Sequence, residues 1–185
     1  MLVVSVSLSN AALNRCQHKL ARIYVSIGSN VDRRRNISAC LHDLRQQFGD
    51  LQVSAIYENK AVGFEGDNFF NLVVGFDSDR EVTELGPIFR DIESEHGRVR
   101  GGERFSSRTL DVDLLLYDDL VLKQQGMDVP RDEITRYAFV LRPLAELAPS
   151  LIHPELNKTM KELWQDFEPK EEMTIIDLDD TQAPE

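Results

Sequence analysis

Two aspartates two residues apart, Asp111 and Asp113, stand inside the run RFSSRTLDVDLLLYDD (residues 104–119), with Arg104 and Arg108 just upstream. Residues i and i+2 of a strand share a face, so the two carboxylates project together while Leu110, Val112 and Leu114 turn to the other side. Their Cα atoms are then ~6–7 Å apart, and like charges that close raise each other's pKa unless something positive lies between them. A divalent ion does so. With no histidine or cysteine nearby, the oxygen-only set suits Mg²⁺, which keeps several waters and completes its shell with substrate phosphates. Arg98 and Arg100, on a loop with Gly97, Gly101 and Gly102, can fold over the same place, and guanidinium groups meet phosphate oxygens bidentately. The competing reading is plain: two acids on a wet strand face, and arginines paired incidentally with Glu93, Glu95 and Glu103. No GxxxxGK[ST] stretch occurs and no GxGxxG follows a strand, so if ATP binds, arginines and magnesium must hold it.

These residues need a scaffold, and hydrophobic periodicity outlines one. The run from Arg22 to Ile27 reads as a strand that ends in the turn cluster Gly28-Ser29-Asn30. Asn36 to Phe48 places Ile37, Cys40, Leu41, Leu44 and Phe48 on one helical face, with Gly49 as the stop. Strands are expected at Leu51 to Tyr57 and Phe70 to Phe76, joined by the polar, Gly-containing loop ENKAVGFEGDNF, too long for a tight hairpin. A second helix over Thr83 to His96 carries Leu85, Ile88, Phe89 and Ile92, with Pro87 tolerable only near its first turn. The acidic strand spans Thr109 to Tyr117, and Phe139 to Leu147 and Met160 to Phe167 read as helical or turn segments on the same core. The interleaving, with an antiparallel neighbour pair, predicts an α+β sandwich with one mainly antiparallel sheet covered by helices.

At 185 residues and 42% apolar, the chain fits one globular domain. Of the formal charge of -11, the stretch 168–185 carries seven acids and one lysine, hence -6, leaving -5 for the body. Such a mildly acidic body argues against a broad nucleic-acid or anionic-membrane surface. Cys16 and Cys40 form no CxxC, the four histidines show no zinc spacing, and Cys40 falls on an apolar helix face, where it reads as packing. The opening MLVVSVSLSN lacks a basic leader before it and a clear cleavage site, and no other apolar run approaches the ~20 residues of a membrane span. A cytoplasmic protein is expected. Residues 1–21 are expected to be an N-terminal extension, 22–167 the domain, and 168–185 an acidic, frayed or disordered tail.

Taken together, YVSIGSN (24–30), FFN (69–71), GRVR (97–100) and Arg108-x-x-Asp111-x-Asp113 followed by Leu114 and Leu115 resemble the 6-hydroxymethyl-7,8-dihydropterin pyrophosphokinase family of folate biosynthesis. The likeness runs from about Arg22 to Trp164. It implies a ferredoxin-like fold, and transfer of pyrophosphate from ATP to the pterin CH₂OH with release of AMP by in-line attack on the β-phosphorus. It also implies that Asp111 and Asp113 hold two Mg²⁺ ions, with Arg98 and Arg108 beside them in catalysis. Glu93, Arg98, Arg100, Arg104, Arg108, Leu114 and Arg131 would form the ATP side. Val62, Phe69, Asn71, Phe105, Asp111 and Phe139 would form the pterin side. The chain departs from the family at Ser106-Ser107, at Asn59-Lys60-Ala61 in place of a Thr-x-Pro loop, at Arg131-Asp132 in place of His and its neighbour, and at Tyr137. The expected partners are ATP and a reduced pterin, without nucleic acid or membrane, for a monomer. The alternatives are a non-catalytic pterin- or nucleotide-binding relative, and a Mg²⁺-dependent phosphotransferase with another acceptor.

Overall fold

In the first strand, β1 (Ala21–Ser29), Ile23, Val25 and Ile27 go to one side of a central sheet and Tyr24 to the other. The computed structural model describes residues 20–63, 65–98, 108–124, 126–168 and 172–178. After β1 come α1 (Arg33–Phe48), β2 (Gln52–Val53), β3 (Ile56–Asn59), β4 (Phe69–Ser78), α2 (Val82–Glu95) and β5 (Asp111–Tyr117). A small hairpin of β6 (Leu122–Gln124) and β7 (Met127–Val129) leads to α3 (Glu133–Arg136), α4 (Ala138–Leu147), α5 (Met160–Asp166) and β8 (Thr174–Ile176). The main sheet runs β5-β1-β4-β3-β8, with β2 also on β4, and every one of these pairings is antiparallel. The order of β5, β1, β4 and β3, with a helix after β1 and after β4, is the ferredoxin-like arrangement.

One face of the sheet is dry. Ile23, Val25 and Ile27 of β1, Phe70, Leu72, Val74 and Phe76 of β4, and Val112 of β5 pack against Ile37, Cys40, Leu41 and Leu44 of α1 and Leu85, Phe89 and Ile92 of α2. Phe48 stacks on Phe76 with ring centroids 4.3 Å apart, which closes the layer at the C-terminus of α1. Cys40 is buried there, as its place on the apolar helix face implies. Burial pushes its thiol pKa up, so it stays protonated and packs as a small apolar group. The helix α2 opens on a reciprocal capping box between Glu81 and Glu84, and Pro87 sits one turn further in than a first-turn proline.

The other face is half covered. Val140, Leu141, Leu144 and Ala145 of α4 lie on Tyr24, Val73, Leu115 and Leu116, with Met160 of α5 behind them. Two irregularities decide which side chains reach this face. The β1–β5 register shifts between Tyr24 and Val25, so that both Leu115 and Leu116 turn toward α4. The expected single strand over Leu51 to Tyr57 is broken, because Ser54 bonds Val73 twice, its N–H donating to the carbonyl at 3.0 Å and its Oγ accepting from the amide at 3.0 Å. Val53 opposes Val74 but Tyr57 opposes Asn71, so one extra residue is accommodated and the side-chain parity flips.

The acidic stretch after Glu168 differs from its expectation of fraying. Thr174–Ile176 pair with Ile56–Glu58 and become the edge of the sheet. Ile176 and Leu178 pack against the dry core, and Arg34 donates to the carbonyls of Asp177 and Leu178 at 2.6 and 3.1 Å. Two apolar residues and the open edge of β3 outweigh a composition that is otherwise acidic. At the other end, Ala21 is already the first residue of β1.

Candidate active site

The register lays out the site in rows. Gly28 of β1 opposes Asn71 of β4 on one side and Asp111 of β5 on the other, and Ser26 opposes Val73 and Asp113. Neighbouring strands are ~4.8 Å apart, so the amide of Asn71 and the carboxylate of Asp111 flank a shallow channel floored by a glycine and a serine. A Cβ at Gly28 would meet Asn71 Oδ1 at 2.9 Å, which is why the floor carries no side chain there. Above this floor lies a cavity of about 180 Å³ lined by Asn59, Val62, Phe69, Asn71, Arg108, Asp111, Asp113, Arg131, Glu133, Tyr137 and Phe139 among others.

At the β5 end the carboxylates are held by arginines. Asp111 pairs with Arg98 through Oδ1 and with Arg108 through Oδ2, and Asp113 Oδ1 lies 2.9 Å from Arg131 Nη2. Arg131 also reaches Glu133, Nε to Oε2, at 3.0 Å. Arg98 is anchored by Glu93, a carboxylate only 2% exposed, whose Oε1 also accepts from the Val112 amide at 2.9 Å. Since β5 pairs only with β1 among the described residues, that amide faces away from the sheet, and Glu93 satisfies it. Burial, and then the neighbouring charge of Arg98, lower the Arg108 guanidinium below its ordinary pKa. Crowded cations of this kind gain from an arriving polyanion. Burial, and then a hydrogen bond with Asp132, raise the Glu133 carboxyl above the usual range.

The turn cluster after β1 locks this end. Asn30 donates its amide to the Arg108 carbonyl at 3.0 Å and accepts from the Arg108 amide at 2.6 Å, while Ser29 Oγ donates to the Thr109 carbonyl at 2.6 Å. At the β3–β4 end the surroundings are amide and aromatic. Asn71 Nδ2 donates to Asn59 Oδ1 at 2.7 Å, and Phe139 stacks on Tyr137 with centroids 5.0 Å apart.

Of the residues expected from sequence, Val62, Phe69, Asn71, Arg108, Asp111, Asp113, Arg131 and Phe139 meet in this one cavity, with Arg98 bound to its wall. Glu93 is buried behind Arg98. The Leu114 side chain packs on the α1–α2 side of the sheet, away from the cavity. Arg100, Arg104 and Phe105 lie outside the described residues. Sequence reading missed Ser26 and Gly28, Asn59, Glu133 and Tyr137 as lining residues. The small residues at every second position of VSIGS were a signal, since an otherwise apolar strand that alternates with Ser and Gly leaves one face bare. Nothing local marked Asn59, whose facing depends on the bulge before it.

The donor set also tests the implied magnesium. Two carboxylates share one strand face with oxygen ligands only, both open to the cavity and both already compensated by cations, an arrangement that fits a hard ion arriving with phosphates. Among the described residues no three His, Cys, Asp or Glu side chains cluster as a protein-only metal cage.

The sequence model of the family described as 7,8-dihydro-6-hydroxymethylpterin-pyrophosphokinase matches residues 24–149. A 2-amino-4-hydroxy-6-hydroxymethyldihydropteridine pyrophosphokinase of Aquifex aeolicus is 35% identical over 147 residues, covering 77% of this chain and 90% of the relative. The Pseudomonas aeruginosa protein of the same name is 36% identical over 141 residues, 74% of this chain and 86% of that one. Among solved structures, a crystal structure of Plasmodium falciparum HPPK-DHPS superposes with a TM-score of 0.62 at 13% identity, over 80% of this chain and 41% of that chain. At that identity the likeness speaks for the fold.

Proposed function

This chain belongs to the 7,8-dihydro-6-hydroxymethylpterin-pyrophosphokinase family, and from that premise we propose how its own residues carry the reaction. The enzyme transfers pyrophosphate from ATP to the hydroxymethyl group of 6-hydroxymethyl-7,8-dihydropterin and releases AMP. The observation that carries the reading is the row Asn71–Gly28–Asp111, which puts an amide-and-aromatic half and an acid-and-arginine half on one open strand face. The pterin ring lies in the first half, between Phe69, Phe139 and Val62, with Asn71 at its polar edge. Its CH₂OH then extends over Gly28 toward the phosphates. Phe105 is assigned to the pterin by the family resemblance alone.

Asp111 and Asp113 would hold the two magnesium ions, which when bound would supply charge neutralisation for the triphosphate. Arg98, Arg108 and Arg131 exchange their contacts with Asp111 and Asp113 for phosphate oxygens, a swap between like acceptors, while Arg98 keeps its pair with the buried Glu93. Arg100 and Arg104 add to that set. Glu93 keeps Arg98 in place rather than touching nucleotide, and Leu114 enters the nucleotide side through strand backbone. Catalysis is then mainly positioning and charge neutralisation. The protein acts as a cytoplasmic monomer in this reading; no helix among the described residues is long and apolar enough to cross a membrane.

The test is AMP formation from ATP and Mg²⁺ with and without 6-hydroxymethyl-7,8-dihydropterin, in the native chain, Asp111→Asn and Asp113→Asn. Pterin-dependent AMP that is lost in both variants is expected. AMP formation indifferent to the pterin, or undiminished in both variants, overturns the assignment of these roles.

A further inference from the structure

Asn71 and Asn59 are both buried, at 8% and 6% exposure, and their amides meet head to tail inside the cavity. Each amide group has one accepting and one donating end, and which end faces a ligand is set by what the other end must do. Asn59 Nδ2 donates to the Lys60 carbonyl at 2.9 Å, so its Oδ1 is the end turned to β4. Asn71 therefore donates Nδ2 to it, at 2.7 Å, and its own Oδ1 is turned the other way, into the space that a side chain at Gly28 would fill, 2.9 Å from where that Cβ would stand. The chain Lys60 carbonyl, Asn59 amide, Asn71 amide has a single direction, fixed by a backbone carbonyl that can only accept.

We propose that Asn59 is a positioning residue for pterin recognition: through this relay it fixes the Asn71 amide with its oxygen toward the ring, so that the site selects a heterocycle edge that presents N–H donors. The inference rests on the placement of the pterin beside Asn71. Without the Asn59 acceptor the Asn71 amide turns freely, and the nitrogen end it then offers leaves two donors facing each other. Asn59 sits at the end of β3, just after the bulge that brings it to this face.

The experiment is a double-mutant cycle on Asn59→Leu and Asn71→Ala, read as KM and kcat for each substrate and as equilibrium pterin affinity by calorimetry, with Asn59→Asp as the variant that keeps an acceptor. Asn59→Leu is expected to weaken pterin binding roughly tenfold, the size of one hydrogen bond, with KM for ATP and kcat near native. Asn59→Asp should recover most of that loss. In the Asn71→Ala background, Asn59→Leu should have no further effect on pterin affinity. Additive losses in the cycle, or equal loss of ATP affinity, overturn the relay and make Asn59 merely structural. If Asn71→Ala leaves pterin affinity native, the placement of the pterin itself fails, which separates that failure from the failure of the relay.

Discussion

The two faces of one sheet differ although the same strands build both. On the face toward α1 and α2, β1 contributes Ile23, Val25 and Ile27, all fully buried; on the face toward α4, the same strand contributes Tyr24, Ser26 and Gly28, and only Tyr24 belongs to the apolar cluster. Two long helices seal the first face, and the ten-residue α4 covers only half of the second. The uncovered half is where charge and hydrogen-bonding groups collect. A closed face converts apolar area into stability, while an open one can hold groups whose interactions are completed only by a ligand.

That contrast can be broken most sharply at Asp113. It is half-buried on the open face, and its pair with Arg131 supports little stability. Asp113→Asn is expected to lower the rate of AMP formation by about a thousandfold, as loss of a group stabilising transition-state charge does, while the melting temperature stays within about 3 °C. A variant that unfolds in parallel with its loss of activity would erase the distinction between the faces.

The reverse substitution is Leu72→Ala on the closed face, where Leu72 is wholly buried. A loss of about 3 kcal/mol in denaturant unfolding is expected, with KM for both substrates near native well below the melting temperature. A raised pterin KM at full folding would mean that the closed face reaches into the site.

The smallest effect sharpens the border between the two regions. Tyr57, opposite Asn71, donates its hydroxyl to Glu146 of α4, and Arg142 lies over its ring at 4.6 Å. Burial first, and then the Glu146 hydrogen bond, push the Tyr57 hydroxyl from its ordinary value of 10.0 up to about 12. Because the folded value exceeds the unfolded one, the protonated form is favoured by folding; that stability is complete below about pH 10 and is lost as pH rises toward about 12. Melting of the native chain should therefore fall more steeply than that of Tyr57→Phe between those pH values. Equal slopes would mean that the hydroxyl does not tie β3 to α4.

Much of this was legible locally. The i, i+2 spacing of Asp111 and Asp113 puts both acids on one face wherever a strand forms there, and the helical spacing of Ile37, Cys40, Leu41 and Leu44 names the dry face of α1. The segments read as helical or turn at Phe139 to Leu147 and Met160 to Phe167 are α4 and α5, each within one residue of those bounds. Composition misled at the C-terminus, where seven acids hid the apolar Ile176 and Leu178 that find the open edge of β3. For the site, residue type and spacing named the acids and the arginines, the aromatics Phe69, Phe105 and Phe139 came only with the family resemblance, and neither placed Glu133 or Asn59 in the cavity.

The sequence by itself therefore determined the chemistry, because carboxylates, guanidinium groups and strand parity are properties of residues and their nearest neighbours. Only the tertiary structure decided the register. A period-two reading of Leu51 to Tyr57 continues Val53 onto the same face as Tyr57 and Asn59, yet the extra residue at the Ser54 bulge turns the latter two to the open face. Whether a strand takes in such a residue depends on the partner it pairs with, here the Val73 amide and carbonyl 19 residues along the chain. The row of Asn71, Gly28 and Asp111 has the same origin: three strands distant in sequence, aligned by hydrogen bonds that no single strand specifies.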